Sequence, residues 1–253
     1  MEILLKSINK IFISEKGIQL EVLKKVEEKI NNEEFVVLIG PSGCGKSTLL
    51  NIIAGLEKCT TGEVIVGGEK INKPSRDRGM VFQQDALLMW RKVIDNVEYG
   101  LELSGIKKNE RKKIALDHLK KVGLEKFVNF YPKELSGGMR KRVQIASVFA
   151  NNPKVMLMDE PFGSLDYMTK LALQDQLLYI WNKQKKTTVF VTHDIEEAVF
   201  LADRIFLLKN GVIDDVFKVP FSRPRNNDIR TDEKFRNLMA TLLNKLSISK
   251  EYK

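Results

Sequence analysis

The stretch Gly40-Pro41-Ser42-Gly43-Cys44-Gly45-Lys46-Ser47-Thr48 concentrates more chemistry than any other in the chain. It has the spacing G-x-x-x-x-G-K-[ST], which is meaningful only between a strand and a helix. Glycines let the backbone curl so that successive N–H groups point inward, and a following helix adds the positive end of its dipole. Together they make a phosphate cradle. Lys46 is expected to reach the β- and γ-phosphates of a nucleotide, and the Ser47 hydroxyl to ligate Mg²⁺.

A second constellation closes the apolar run Val155-Met156-Leu157-Met158 with Asp159-Glu160. Unpaired buried charge is expensive, so a buried strand does not end in two acids for the sake of packing. Beside a metal ion the pair makes sense. Asp159 is expected to hold the ion, directly or through water, while Glu160 polarises an attacking water.

A third is Leu135-Ser136-Gly137-Gly138-Met139-Arg140-Lys141-Arg142, a serine and two glycines at the start of a helix. That is another anion-binding turn. One nucleotide needs one phosphate loop, so the second turn is explained most simply if it serves a nucleotide held by a second copy of the chain.

The elements that must position these groups can be read around them. Phe35–Ile39 is an apolar run of the length of a buried parallel strand, and Leu49–Gly55 reads as a helix stopped by glycine. Further strands are expected at Gly62–Gly68, Met80–Phe82, Val155–Met158, Thr188–Thr192, Arg204–Leu208 and Val212–Val216. Residues 1–30 read as edge β-structure turning at Lys16-Gly17. Phe12 on that structure is either sheet core or a stacking surface for a base. From about Asp85 to Asn152 the pattern turns helical. Leu173, Leu177, Ile180 and Trp181 share one helical stripe, and Asp194 with Glu197 reads as a capping box. The order predicts an α/β fold with a mostly parallel sheet, split by a helical insertion. Arg223–Asn227 reads as a polar linker before an amphipathic helix carrying Phe235, Leu238, Met239, Leu242, Leu243 and Leu246, docked by default on the same chain.

Composition sets outer limits. The chain has 253 residues, 43% hydrophobic and 30% charged, an ordinary globular profile. No apolar run approaches the ~18 residues of a membrane span, and the N-terminus has no signal-peptide pattern. Two cysteines, Cys44 and Cys59, make no disulfide framework and fit a reducing compartment. The inward-pointing N–H groups around Cys44 are expected to favour its thiolate. The net charge of +9 suggests an anionic neighbour, and lipid headgroups, nucleotides and nucleic acid all qualify.

With these motifs in register, the chain resembles the ATP-binding subunit of an ABC transporter over nearly its whole length. The resemblance rests on the phosphate loop, a Q-loop at Gln83, the signature at Leu135–Arg140 and the Asp159-Glu160 strand. A D-loop at Ser164-Leu165-Asp166 and a switch histidine at His193 complete the set. It implies a P-loop NTPase (RecA-like) core, an N-terminal antiparallel β subdomain and a helical insertion at about 85–152. The ATP-binding domain would span 1–220, with the linker and C-terminal helix at 221–253.

The resemblance also implies roles. ATP and Mg²⁺ would be the cofactors. Gly40, Pro41, Ser42, Gly43, Cys44, Gly45, Lys46, Ser47 and Thr48 would hold the nucleotide, and Phe12 would stack on its adenine. Ser47, Gln83 and Asp159 would face the metal. Glu160, His193, Gln83 and Lys46 would carry catalysis, His193 by hydrogen-bonding the γ-phosphate. In a head-to-tail homodimer, Ser136, Gly137 and Gly138 would close over the partner's ATP. His118, away from every motif, is expected to be an ordinary surface histidine.

A narrower resemblance, to the nitrate/sulfonate/taurine importer subfamily, rests on Phe82–Trp90, Asn96-Val97 and Phe221–Arg225. It implies two transmembrane permease subunits, an extracytoplasmic solute-binding protein acting indirectly, and a place on the cytoplasmic face of the membrane. Trp90 would face the permease unless it is core of the helical insertion. No nucleic acid is expected, although a nucleic-acid-linked ATPase of the same superfamily is the rival from another class. Within transport, the alternative is an importer for another small organic solute, such as a pyrimidine vitamin precursor. Glu33 and Met89 depart from the usual glycine and proline, and Lys141 and Ser147 from the usual glutamine and arginine.

Overall fold

The computed structural model describes residues 1–163 and 165–247. Its elements are β1 (Ile3–Ile13), β2 (Gln19–Ile30), β3 (Phe35–Ile39), α1 (Lys46–Ala54), β4 (Thr61–Val66), β5 (Glu69–Lys70) and β6 (Arg78–Val81). Then come α2 (Val93–Leu103), α3 (Lys108–Lys121), α4 (Gly137–Ala150), β7 (Val155–Asp159), α5 (Tyr167–Gln184) and β8 (Thr187–Val191). The chain closes with α6 (Ile195–Leu201), β9 (Arg204–Lys209), β10 (Val212–Lys218) and α7 (Glu233–Ser247).

Two sheets organise these elements. The larger runs β10-β9-β3-β8-β7-β6, parallel from β9 to β6, with β10 antiparallel at one edge. The smaller, β2-β1-β4-β5, is antiparallel. Every residue of β3 and β8 is buried, as expected of strands covered on both faces. Alternation then divides their side chains between two cores. Val36, Leu38, Val189 and Val191 pack with α1 and the smaller sheet, while Phe35, Val37, Ile39 and Phe190 pack with the helices. The helical insertion, α2 to α4, joins the neighbouring strands β6 and β7.

The fold agrees with the α/β reading and departs from it in detail. Strand β6 ends at Val81, so Phe82 is not a strand residue. Asp194 does cap α6, accepting from the backbone N–H groups of Glu196 and Glu197, but Glu197 does not reach back to complete a capping box. Its carboxylate is buried and accepts from Thr192 Oγ1 and Gln174 Nε2 instead. The stretch read as a polar linker is pinned to the core. Arg223 pairs with Asp203 at 2.7 Å, and Arg225 is buried, donating to the Phe200 and Ala202 carbonyls. Two arginines look solvated in a sequence, but these two satisfy carbonyls left over at the end of α6. Helix α7 docks on the same chain through Phe235 and Leu242. His118 is buried as well. Its Nδ1–H donates to the Ile114 carbonyl at 3.0 Å, and burial holds its pKa below the usual histidine range.

Candidate functional site

The parallel strands β3, β7 and β8 all point their C-terminal ends at one edge of the sheet, and the chemistry gathers there. After β3 the chain turns through Gly40–Gly45 into α1. Two glycines are required by space. A Cβ on Gly40 would lie 2.1 Å from the Leu208 carbonyl oxygen, and one on Gly45, at φ +105°, would lie 2.7 Å from Leu23. Gly45 is also the N-cap of α1, so the N–H groups of the first turn open into the loop. Lys46 Nζ is anchored at the loop by the carbonyls of Gly40 and Pro41, both at 2.9 Å. Cys44 Sγ lies 3.9 Å from it. Burial pushes the Cys44 thiol up despite the ammonium, so the expectation of a favoured thiolate is corrected. Desolvation of a nascent thiolate outweighs the N–H dipoles.

Strand β7 delivers the two acids. Asp159 Oδ1 accepts from Ser47 Oγ at 3.0 Å, and burial raises its pKa, with the serine hydrogen bond opposing. A hydroxyl beside a carboxylate is a hard oxygen pair of the kind that holds Mg²⁺ when phosphate oxygens complete the sphere. Among the described residues no group of three His, Cys, Asp or Glu could hold a metal alone. Next to Asp159, Glu160 sits at φ +40°, a left-handed conformation costing about 1–3 kcal/mol for a residue with a Cβ. Its N–H donates to the Val191 carbonyl at 3.0 Å, which holds the turn against β8. The carboxylate is thereby swung off the strand. Glu160 Oε2 accepts from Gln83 Nε2 at 3.2 Å and from His193 Nδ1 at 3.1 Å.

The remaining sequence-read residues fall in two other places. Phe12 is 38% exposed on β1 with Lys10 Nζ 4.6 Å above its ring, so it is not sheet core. Ser136 is the N-cap of α4, its Oγ accepting from Met139 N–H at 3.3 Å. Gly138 packs against Thr169 at the start of α5, where a Cβ would come within 2.7 Å. No hydrogen bond among the described residues joins Ser136, Gly137 or Gly138 to the phosphate loop. Asp166 caps α5, while Ser164 of the expected D-loop lies outside the described residues. Trp90 is 75% exposed, which excludes the core reading.

Among known families, residues 23–163 match the ABC transporter family. The chain belongs to that family. An uncharacterised ABC transporter ATP-binding protein of Methanocaldococcus jannaschii is 48% identical over 230 residues, 90% of this chain and 85% of that one. The taurine import ATP-binding protein of Rhizobium johnstonii is 47% identical, covering 78% of this chain and 75% of its own. The nitrate import ATP-binding protein of a Synechocystis strain is 45% identical, covering 83% and 79%. Among solved structures, a dimeric ATP-binding cassette in a post-hydrolysis state, bound to ADP and Pi, matches with TM-score 0.79 and 38% identity over 87% of this chain and 100% of that one.

Two supports of this ABC transporter site were not anticipated from sequence. Glu197 holds Thr192, the residue before His193, and Lys141 holds the backbone at Gln83. The available signal for each was a charged residue on the buried face of a helix.

Proposed function

We propose that this chain hydrolyses ATP as one half of a head-to-tail homodimer and so drives import of a small oxyanion through a separate membrane channel. The observation that carries the reading is the meeting of Gln83, Glu160 and His193 beside the Ser47–Asp159 pair. Five side chains from four segments converge where a nucleotide's terminal phosphate would lie if the loop N–H groups held it.

Roles follow from chemistry. Lys46 and the loop N–H groups balance phosphate charge, most strongly where it develops in the transition state. Ser47, Asp159 and Gln83 would hold Mg²⁺, which neutralises charge on the phosphate oxygens when bound. Glu160 accepts a proton from the attacking water, and the Gln83 and His193 contacts aim its carboxylate. His193, which contacts Glu160 at 3.1 Å, would turn toward the γ-phosphate when nucleotide binds.

The Ser136 turn has no hydrogen-bonded partner in the phosphate loop of its own chain, and its free face suits the nucleotide of a second copy. Phe12 offers an exposed ring for the adenine. No helix among the described residues is long and apolar enough to cross a membrane, so two permease subunits would form the channel, with the chain lying peripherally against them. The names of the taurine and nitrate relatives support an oxyanion as the imported solute.

Mixed dimers test the core of this. Lys46→Ala and Ser136→Arg should each fail to bind ATP stably as homodimers. Combined, they leave one interface site with both groups intact, so tagged heterodimers should bind about one ATP per dimer. No recovery above the homodimers would sink the shared site. The solute is tested by uptake of labelled taurine and nitrate in cells carrying the complete transporter.

A further inference from the structure

We infer that Lys141 is a positioning residue for Gln83, fastening the Q-loop to the helix that begins at the signature turn. The inference rests on the roles proposed above for Gln83 and Ser136.

Lys141 lies on α4 and is only 3% exposed. Burying an ammonium is costly unless each of its three N–H groups finds an acceptor. Here each does. Nζ donates to the carbonyl of Phe82 at 3.1 Å, to the carbonyl of Gln83 at 3.1 Å and to Gln144 Oε1 at 2.9 Å. Gln144, one turn further along α4, uses its amide on the Phe82 and Gln84 carbonyls at 3.4 and 3.5 Å. Arg140, one residue earlier, pairs with Asp85 at 2.7 Å.

Three side chains of α4, Arg140, Lys141 and Gln144, therefore grip four consecutive residues, Phe82 to Asp85. This also explains why β6 stops at Val81. The carbonyls of Phe82, Gln83 and Gln84 are taken by α4 and are lost to the sheet.

The grip has a mechanical consequence. Ser136 caps the same helix five residues before Lys141, and a helix transmits displacement as a rigid rod. Whatever moves the signature turn moves the backbone of Gln83, whose side chain touches Glu160. A neutral glutamine here, the residue the family resemblance leads one to expect, has two N–H groups and no charge. It would hold the same carbonyls more weakly.

Lys141→Met keeps the length and apolar stem and removes all three donors. The full chain carrying it should lose kcat by about tenfold with KM for ATP within about twofold, the pattern of a lost contact that matters only during turnover. In a Gln83→Ala background the same substitution should cost nothing further, because the group it positions is gone. A purely structural lysine would lower both backgrounds alike, and that result overturns the inference. Lys141→Gln should fall between wild type and Lys141→Met.

Hydrogen exchange gives a readout that needs no turnover. The peptide spanning residues 82–85 should exchange about threefold faster in Lys141→Met, and an unchanged rate overturns the clamp. If Lys141→Met does not fold, Gln144→Leu removes the second leg and carries the same expectations. Full turnover in Gln83→Ala would overturn the reading of Gln83 itself and this inference with it. Lost turnover in Gln83→Ala beside normal kcat in Lys141→Met overturns the inference alone.

Discussion

His193 Nδ1 lies 3.1 Å from Glu160 Oε2, so the switch histidine and the expected base are hydrogen-bonded within a single chain. An ionised carboxylate can only accept, which assigns the proton to Nδ1 and leaves Nε2 on the far side of the ring. The pairing orients Glu160 without consuming its second oxygen. Glu160→Gln preserves shape and loses basicity. Turnover should fall by a factor of about 10² to 10⁴ while ATP affinity stays within about threefold. Single-turnover kinetics and equilibrium binding check the two halves, and substantial hydrolysis by the pure variant would remove Glu160 from the role.

Trp90 stands clear of the insertion's core, so truncating it should barely touch the fold. Exposed substitutions fall within about 0.5 kcal/mol, which is about 1–2 °C for a chain of this size. Trp90→Ala should leave the melting temperature and the ATPase activity of the isolated chain near wild type. In the assembled transporter, the same variant should uncouple hydrolysis from uptake. Equal losses in both preparations would mean that Trp90 supports the chain itself.

The two cysteines should differ in reactivity. Cys44 is buried and its thiol is held above the usual range, whereas Cys59 is partly exposed, with Sγ 3.3 Å from the Gly62 carbonyl. Thiolate is the reactive form, so iodoacetamide should label Cys59 first, and bound ATP should slow the Cys44 reaction further. Peptide mass spectrometry over a time course reads the order. Faster labelling of Cys44 would show that the loop N–H groups outweigh burial.

His118 gives a pH dependence of stability whose sign can be worked out. Burial depresses its pKa in the folded chain, with Lys121 adding to the depression and Asp117 opposing it. The unfolded chain therefore takes up the proton more readily. Stability is complete above the unfolded value of about 6.5 and falls as pH drops below it. The melting temperature of wild type should fall more between pH 7 and pH 5 than that of His118→Leu. Parallel curves would show that His118 accommodates its charge.

Much of this site could be read from the chain in order. The phosphate loop, the Asp159-Glu160 strand end and the serine-glycine turn are local. Each is a short run whose backbone conformation and side-chain chemistry are dictated by neighbours a few residues away. The parallel sheet followed from apolar runs of strand length, because strands buried on both faces leave no polar alternation to misread.

Only tertiary structure decided how distant segments meet. Nothing near residue 83, 160 or 193 says that three side chains will share one oxygen, because that distance is set by the order of β6, β7 and β8 in the sheet. The same holds for charge. Arg225 reads as part of a polar linker and Glu197 as a helix-cap partner, while Lys141 registers only as a departure from the usual glutamine, yet all three are buried. Each is buried because folding brings it acceptors or donors that outweigh enough of the lost hydration, and those partners exist only once the helices have packed.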